Sequence, residues 1–250
     1  MTLAKKLRKI QKSKYGSALL PNYYTHCFFK AKALYLPEQG LAYIPIQKVA
    51  NTSIRRTIRA HLGESEYVSL EGGSDRRYRV ISLAETAKLT SCFRFGLVRN
   101  PLDRLASCYT DKVARRSGSD LQLFKEYEPT IYPFIPHERF DPSMSFDEFV
   151  EAVCRIPDRF ADRHFRSQHC FLHHRGRLAV DFVGRLETID EDWQVVRSHV
   201  DLGELPRAKF TNKTDFRLMY TQRSARQAAT RYAKDIRLFG YEDSLADLVR

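Results

Sequence analysis

The sequence has no apolar run long enough to cross a membrane. A membrane-spanning helix needs about 18 or more consecutive apolar residues, and no stretch of this 250-residue chain comes near that length. The N-terminus also lacks an apolar stretch followed by a small-residue cleavage site, which is the pattern of a secretory signal peptide. These absences predict a soluble, cytoplasmic protein.

Acidic residues are missing from the start of the chain, where Glu38 is the first. Basic residues cluster in residues 1–14 and supply much of the formal net charge of +12. We therefore expect a basic N-terminal segment, residues 1–40, that is either solvated or in peripheral contact with an anionic membrane through residues 1–14. The other basic residues are spread along the chain, which suits an anionic ligand and favours no specific nucleic acid.

Cysteine is scarce and forms no metal-binding pattern. The five cysteines are odd in number and scattered, they include no Cys-x-x-Cys pair, and no histidine stands at metal-ligand spacing. This usage is typical of a reduced cytosolic protein and argues against a disulfide framework. We expect no metal.

Two segments change from a strand pattern to a helix pattern. Residues 41–46 are a short apolar run, residues 47–53 are polar, and apolar residues then recur at helical spacing. Residues 93–99 are also strand-like, and Asn100 and Pro101 suit the N-cap and first position of a helix. Both segments predict strand, loop and helix.

A third strand is predicted over residues 178–186, before an acidic helix start at residues 190–192. Further helices are expected near residues 145–155 and 223–237. The alternation predicts an α/β fold in which residues 41–250 form a single domain, with a central, mainly parallel sheet flanked by helices. Ligand sites in such folds lie beyond the carboxyl ends of the strands, where both loops fall. The proline-containing stretch 115–144 is expected to pass over that site as an irregular excursion.

The first loop has the composition of an anion-binding site. It places backbone N–H groups, Lys48 and the adjacent hydroxyls of Thr52 and Ser53 at a helix N-terminus. The nucleotide-hydrolase loop Gly-x-x-x-x-Gly-Lys-[Ser/Thr] is absent, since Lys48 precedes the hydroxyls instead of adjoining them. The alternative is that these are ordinary capping and surface residues.

The second loop brings an arginine to a strand end. Arg99 offers a planar fork suited to phosphate, and Ser107, about two turns into the following helix, can donate to the same group. Arg104 is instead expected to form a surface ion pair with Asp103 or a neighbour, and Tyr109 to pack in the core.

Together the two motifs resemble those of the Golgi-type carbohydrate sulfotransferases, the chondroitin, dermatan and HNK-1 group. Lys-Val-Ala-x-Thr-Ser-Ile at 48–54 is similar to the family's 5′-phosphosulfate loop, and Arg-x-Pro-x-x-Arg-x-x-Ser-x-Tyr at 99–109 to its 3′-phosphate motif. Further similar blocks are Asp-x-His-Phe-x-x-Gln at 162–168, Asp-Phe-Val-Gly-Arg-Leu-Glu-Thr at 181–188, Asn212-Lys213-Thr214 and Leu-Phe-Gly-Tyr at 238–241.

The resemblance implies a P-loop-like sulfotransferase fold and an activity. The donor would be 3′-phosphoadenosine 5′-phosphosulfate (PAPS), the reaction an in-line sulfuryl transfer without a metal, and the acceptor a hydroxyl, most simply of a carbohydrate. The implied donor-binding residues are Lys48, Val49, Ala50, Asn51, Thr52, Ser53, Arg99 and Ser107. Lys48 would also be catalytic, since charge builds on the departing phosphate. The family's membrane anchor is absent from the sequence, so a soluble, bacterial-type relative is expected.

The general base is the least constrained part of the prediction. A sugar hydroxyl needs a base at neutral pH, and an imidazole is suited to that role. We prefer His164, because it lies in the Asp162-x-His164 block and a carboxylate can orient its ring. Glu85 is the alternative, since related heparan-type enzymes place the base between the two motifs, where this chain has no suitably placed histidine.

Two other classes of function stay open from the sequence. A phosphate-loop nucleotide kinase or hydrolase would share the strand-loop-helix anion site, and a basic polyanion-binding module would share the charge. The sequence gives neither the oligomeric state nor the identity of the acceptor.

Overall fold

A computed structural model of the protein describes residues 31–63, 77–114, 143–159, 161–206 and 215–249. Three of the predicted features lie wholly or mainly outside these residues: the basic segment 1–14, the stretch 115–144 and the block Asn212-Lys213-Thr214. Within the described part, no helix is long and apolar enough to span a membrane.

The described residues form seven strands and nine α-helices. In chain order the strands are β1 (Lys32–Leu36), β2 (Leu41–Ile44), β3 (Arg79–Ser82), β4 (Phe93–Val98), β5 (His173–His174), β6 (Arg177–Leu178) and β7 (Phe182–Arg185). The helices are α1 (Asn51–His61), α2 (Leu83–Thr86), α3 (Pro101–Lys112), α4 (Phe146–Cys154), α5 (His169–Leu172), α6 (Ile189–His199), α7 (Gln222–Arg231), α8 (Ala233–Phe239) and α9 (Glu242–Val249), with a 3-10 helix at Phe216–Met219.

Five strands form one sheet in the order β3-β1-β2-β4-β7. β2 pairs in parallel with β4, and β4 with β7. β1 is antiparallel to both β2 and β3, so it alone runs against the other four strands. This confirms the expected α/β class with a mostly parallel sheet.

Apolar side chains cover both faces of the sheet. All four residues of β2, Leu41–Ile44, are buried, which is typical of a strand with elements packed on both sides. One core cluster joins the sheet to α1 and α6, through residues such as Ile58 and Trp193. A second cluster, including Leu105 and Phe149, joins α3, α4 and α7. The sheet thus supplies a rigid base for the loops at its edge.

Several boundaries differ from the predicted ones. The third strand is confined to Phe182–Arg185, because Arg177–Leu178 instead pairs with His173–His174 in a separate hairpin. The helix expected over 223–237 is divided at Tyr232, whose hydroxyl donates to the carbonyl of Phe165 at 2.6 Å. The expected limit between residues 40 and 41 falls at the turn between β1 and β2, two strands of one sheet.

Candidate active site

The two motifs that the sequence analysis singled out lie side by side at one edge of the sheet. β2 and β4 are parallel neighbours, with Ile44 paired to Gly96, so the loops that follow them leave from the same edge. A direct contact joins the loops, because Nη1 of Arg99 donates to the carbonyl oxygen of Lys48 at 3.2 Å. The fold therefore brings together residues that are far apart in the sequence.

The first loop contains two left-handed residues, and hydrogen bonds from its own side chains and from β2 hold its conformation. Lys48 and Ala50 have left-handed conformations, with φ of 68° and 46°, while Val49 is fully buried. The hydroxyl of Tyr43 donates to Oδ1 of Asn51 at 3.3 Å, and Nδ2 of Asn51 donates to Oε1 of Gln47 at 3.4 Å. Left-handed residues in a short turn direct successive N–H groups to one side, which creates an anion-binding concavity.

The helix that follows this loop has an open N-terminus. Its N-cap, Ala50, makes no side-chain capping hydrogen bond, and its first turn has no acidic residue. Thr52 is exposed and Ser53 buried, and neither hydroxyl has a hydrogen-bond partner within the described residues. The N–H groups and the positive end of the α1 dipole are therefore available to an anion.

Arg99 is held tightly at the end of β4. Its side chain is only 3% exposed, and it pairs with Asp103 through Nε to Oδ2 at 2.8 Å and Nη2 to Oδ1 at 2.5 Å. A guanidinium carries five N–H donors. The two contacts with Asp103 and the contact with the Lys48 carbonyl use one donor on each of the three nitrogens. Nη1 and Nη2 each retain another donor for a phosphate oxygen.

The backbone of Arg99 is fixed by a buried glutamine. Oε1 of Gln168 accepts from the Arg99 N–H at 3.0 Å, and Nε2 of Gln168 donates to the Arg99 carbonyl at 2.7 Å. Asp235, which is fully buried, accepts from the N–H groups of Gln168 and His169 at 2.5 and 2.9 Å. The segment that follows Asp162 is thus joined to the second anion-binding motif.

One face of α3 contacts both loops. Asp103, Ser107 and Asp111 follow four-residue spacing and so share this face. Asp103 pairs with Arg99, and Oδ2 of Asp111 lies 3.1 Å from Nζ of Lys48. Ser107 lies between these two contacts, is half-buried, and has no side-chain partner among the described residues. The fold therefore brings Lys48, Arg99 and Ser107 to the same region.

Arg104 differs from its prediction. It was expected in a surface ion pair with Asp103, but it is 1% exposed. Its guanidinium donates to three backbone carbonyls, those of Gln47 at 2.9 Å, Arg163 at 2.8 Å and Arg166 at 2.8 Å. Burial lowers the pKa of this group. The prediction was wrong because Asp103 is bound to Arg99, and Arg104 instead ties together three segments of the site.

His164 lies in the same group of segments. It is 7% exposed, and its Nδ1 is 2.6 Å from Oδ1 of Asp162. Burial alone would raise the pKa of Asp162, but the hydrogen bond and charge of His164 outweigh burial and lower it. An ionised Asp162 favours the proton on Nδ1, which leaves Nε2 as the ring's proton acceptor.

Glu85 is placed less well for base chemistry. It is exposed, and its Oε2 accepts from both the N–H and the hydroxyl of Ser82, at 2.8 and 2.6 Å, in a capping box at the start of α2. These hydrogen bonds lower the pKa of Glu85. A carboxylate in this state is a weaker proton acceptor, so its geometry favours a capping role.

The chain is similar to known proteins over most of its length. A model of the sulfotransferase family matches residues 32–242, most of the chain. The chain belongs to the sulfotransferase family. Carbohydrate sulfotransferase 10 of Xenopus laevis is 23% identical over 174 residues, which cover 62% of this chain and 49% of that protein. The chain thus spans about half the length of this curated relative. No solved structure matches the chain.

A group of possible metal ligands lies outside the two loops. Among the described residues, Asp158, His169 and Cys170 have ligand atoms within 4.8 Å of one another. Nη2 of Arg231 already donates to Oδ1 of Asp158 at 2.7 Å, and this guanidinium helps to lower the pKa of Asp158 to about 2 against the effect of burial. A cation already balances the carboxylate, which disfavours a divalent ion.

The acidic and amide partners of Arg99 were not predicted from the sequence. The four-residue spacing of Arg99 and Asp103 at a helix start was a usable signal for their ion pair. Gln168 and Glu187 stand in the similar blocks 162–168 and 181–188, but no local pattern gives their partners. Oε1 of Glu187 accepts from the Asn100 N–H at 2.7 Å. Both contacts join segments that only the fold brings together.

Proposed function

We propose that the protein transfers a sulfuryl group from PAPS to a hydroxyl group, with a carbohydrate as the preferred class of acceptor. The observation that carries this proposal is the contact between the two anion-binding motifs, where Arg99 donates to the carbonyl of Lys48. A donor with phosphate groups at both its 5′ and 3′ positions needs two adjoining anion sites. The name of the Xenopus laevis relative supports a carbohydrate acceptor.

The open N-terminus of α1 is the proposed site of the 5′-phosphosulfate. Backbone N–H groups of residues 48–53 and the hydroxyls of Thr52 and Ser53 would bind its oxygens. Arg99 and Ser107 would bind the 3′-phosphate, Arg99 through the remaining donors of Nη1 and Nη2. The donor would contact the backbone, more than the side chains, of Val49, Ala50 and Asn51. Val49 is buried, and the Asn51 side chain forms its hydrogen bond within the loop.

Lys48 is proposed to stabilise the departing phosphate. The acceptor oxygen bonds to sulfur while the bond from sulfur to the bridging phosphate oxygen breaks, and 3′-phosphoadenosine 5′-phosphate (PAP) leaves with the electron pair. Negative charge on the bridging oxygen is larger in the transition state than in the bound donor. An ammonium placed at this oxygen therefore lowers the barrier more than it raises donor affinity.

Nε2 of His164 is proposed to take the proton of the acceptor hydroxyl. Two observations support this choice over Glu85: Asp162 holds Nδ1 of His164, and Glu85 is engaged by Ser82. The pH dependence of kcat tests it. His164→Ala should lower kcat by about 10²- to 10⁴-fold and remove the acidic limb of the profile. If the loss is confined to Glu85→Gln, then the base is Glu85.

The decisive experiment for the function supplies labelled PAPS to the purified protein with a panel of glycans, phenols and lipids. Transfer of the label to a glycan is the expected result. Titration calorimetry with PAP and with ATP, each without and with Mg²⁺, distinguishes a sulfotransferase from a nucleotide kinase or hydrolase. A sulfotransferase should prefer PAP, whereas preference for ATP with Mg²⁺ and no label transfer would favour a nucleotide kinase or hydrolase.

A further inference from the structure

Asp111, in the last turn of α3, is an acidic residue within an anion-binding site. Its Oδ2 lies 3.1 Å from Nζ of Lys48 and 3.6 Å from Nζ of Lys112. The side chain of Lys48 is 17% exposed and that of Asp111 is 35% exposed, so water only partly screens the contact. Asp111 therefore pairs with the same ammonium group that would contact a bound donor.

The two lysines keep Asp111 ionised. Burial would raise the pKa of Asp111, but the charges and hydrogen bonds of Lys48 and Lys112 outweigh burial and lower it. The carboxylate is therefore fully charged near neutral pH. A phosphosulfate that enters the loop is a second anion for the same ammonium.

We propose that Asp111 is a positioning residue, which holds the Lys48 ammonium in the unliganded site and competes with the donor for it. This inference rests on the proposed function. When Lys48 leaves Asp111 for the bound donor, the free energy of binding improves little, because one anionic partner replaces another. Exchange becomes favourable as charge grows on the departing phosphate, so the effect of Lys48 is concentrated in the transition state.

The contrast between Asp111 and Asp103 supports an exchangeable role for Asp111. Asp103 holds the planar fork of Arg99 through two hydrogen bonds, at 2.8 and 2.5 Å, and leaves other N–H donors unoccupied. Asp111 contacts a compact ammonium on a flexible stem, which can turn to another anion. Asp103 therefore orients its partner permanently, and Asp111 does so until the donor takes over.

The test is Asp111→Asn, measured by PAP calorimetry at low salt and by steady-state kinetics. Without its competitor, Lys48 should contact the bound donor, so PAP affinity should rise by about 2- to 5-fold. The KM for PAPS should fall, and kcat should not rise. A purely structural role for Asp111 would instead weaken PAP binding and lower thermal stability.

Two control variants isolate the competition for Lys48. Asp201→Asn makes the same charge change after α6, whose last residue His199 stacks on Phe93 at the start of β4, the end opposite the site. It should leave PAP affinity unchanged. Adding Lys48→Met to Asp111→Asn should abolish the gain, and a gain that persists would overturn the inference by assigning it to Lys112.

The outcomes separate this inference from the proposed function. If the unaltered protein binds PAP and Asp111→Asn binds it equally, then Asp111 does not compete and the function stands. If the unaltered protein does not bind PAP, then the function itself is wrong. Circular dichroism checks the fold of each variant, and Asp111→Ser replaces Asp111→Asn when the latter does not fold.

Discussion

The two strand-to-helix junctions of the site treat their helix N-termini in opposite ways. α1 begins at Ala50 without a side-chain cap and without an acidic residue in its first turn. α3 begins with the Asn100 side chain, which accepts from the N–H groups of Leu102 and Asp103, and it carries Asp103 in its first turn. The first junction leaves its N–H groups open to an anion, and the second closes them.

In the proposed function, the two junctions would bind anions in different ways. At the open junction, backbone N–H groups and the helix dipole would bind the anion. At the closed junction, the cap fixes the helix, and the Arg99 side chain would bind the anion. We expect substitutions to affect the two junctions differently.

Of the substitutions at the two junctions, the one with the largest expected effect acts on turnover and lies at the open junction. Lys48→Met should lower kcat by about 10²- to 10³-fold, because it removes a cation from the developing charge on the leaving group. The KM for PAPS should change much less, because Lys48 already has Asp111 as a partner when the donor binds. Transfer assays at varied PAPS concentration measure both quantities. Lys112→Met, which removes the same charge from the other partner of Asp111, should affect kcat far less.

The next largest effect is on affinity and comes from the closed junction. Arg99→Lys keeps the charge but loses the planar fork, so PAP affinity should fall by about 10- to 100-fold. Adenosine 5′-phosphate, which lacks the 3′-phosphate, serves as the control ligand in the same calorimetric experiment. Its affinity should hardly change, and an equal loss for both ligands would contradict the assignment of Arg99 to the 3′-phosphate.

A cap introduced at the open junction should convert it to the closed kind. Ala50→Asp places a carboxylate where it can accept from the first N–H groups of α1, and its left-handed conformation tolerates Asp. PAP affinity should fall by about 5- to 10-fold, since the carboxylate occupies those donors and repels phosphate. Ala50→Asn adds a neutral cap of the same size and should reduce affinity less. Calorimetry with PAP compares the three proteins.

The smallest expected effect comes from removing the cap of the closed junction. Asn100→Ala should lower the free energy of unfolding by about 1 kcal/mol, because two N–H groups of α3 lose their acceptor. PAP affinity should change little, since the proposed ligand of the 3′-phosphate at this junction is the Arg99 side chain. Urea denaturation and calorimetry measure the two quantities. A large loss of PAP affinity with normal stability would show that the second helix N-terminus also binds the anion.

Sequence patterns predicted the two βα units that contain the site loops better than the other strands of the sheet. The βα units at residues 41–62 and 93–113 were found because apolar spacing, Asn100 and Pro101 are local signals. β1 and β3 were not predicted. β1 lies in the segment assigned to the basic N-terminus although it forms a hairpin with β2, and β3 pairs with β1, which is far from it in the sequence. The length of the third strand was overestimated because Arg177–Leu178 pairs with His173–His174 instead of joining the sheet.

The sequence by itself identified Lys48 and Arg99 as candidate anion ligands and Asn100 as the cap of α3. These properties depend on residue type and on neighbours within one turn, so Lys48, Arg99 and the Asn100 cap could be identified without coordinates. Only the tertiary structure decided the partners of these residues. Gln168 and Arg99 are 69 residues apart, and the partnership of Lys48 with Asp111 depends on how α3 packs against the first loop. Such contacts follow from the geometry of the sheet edge, which no local pattern records.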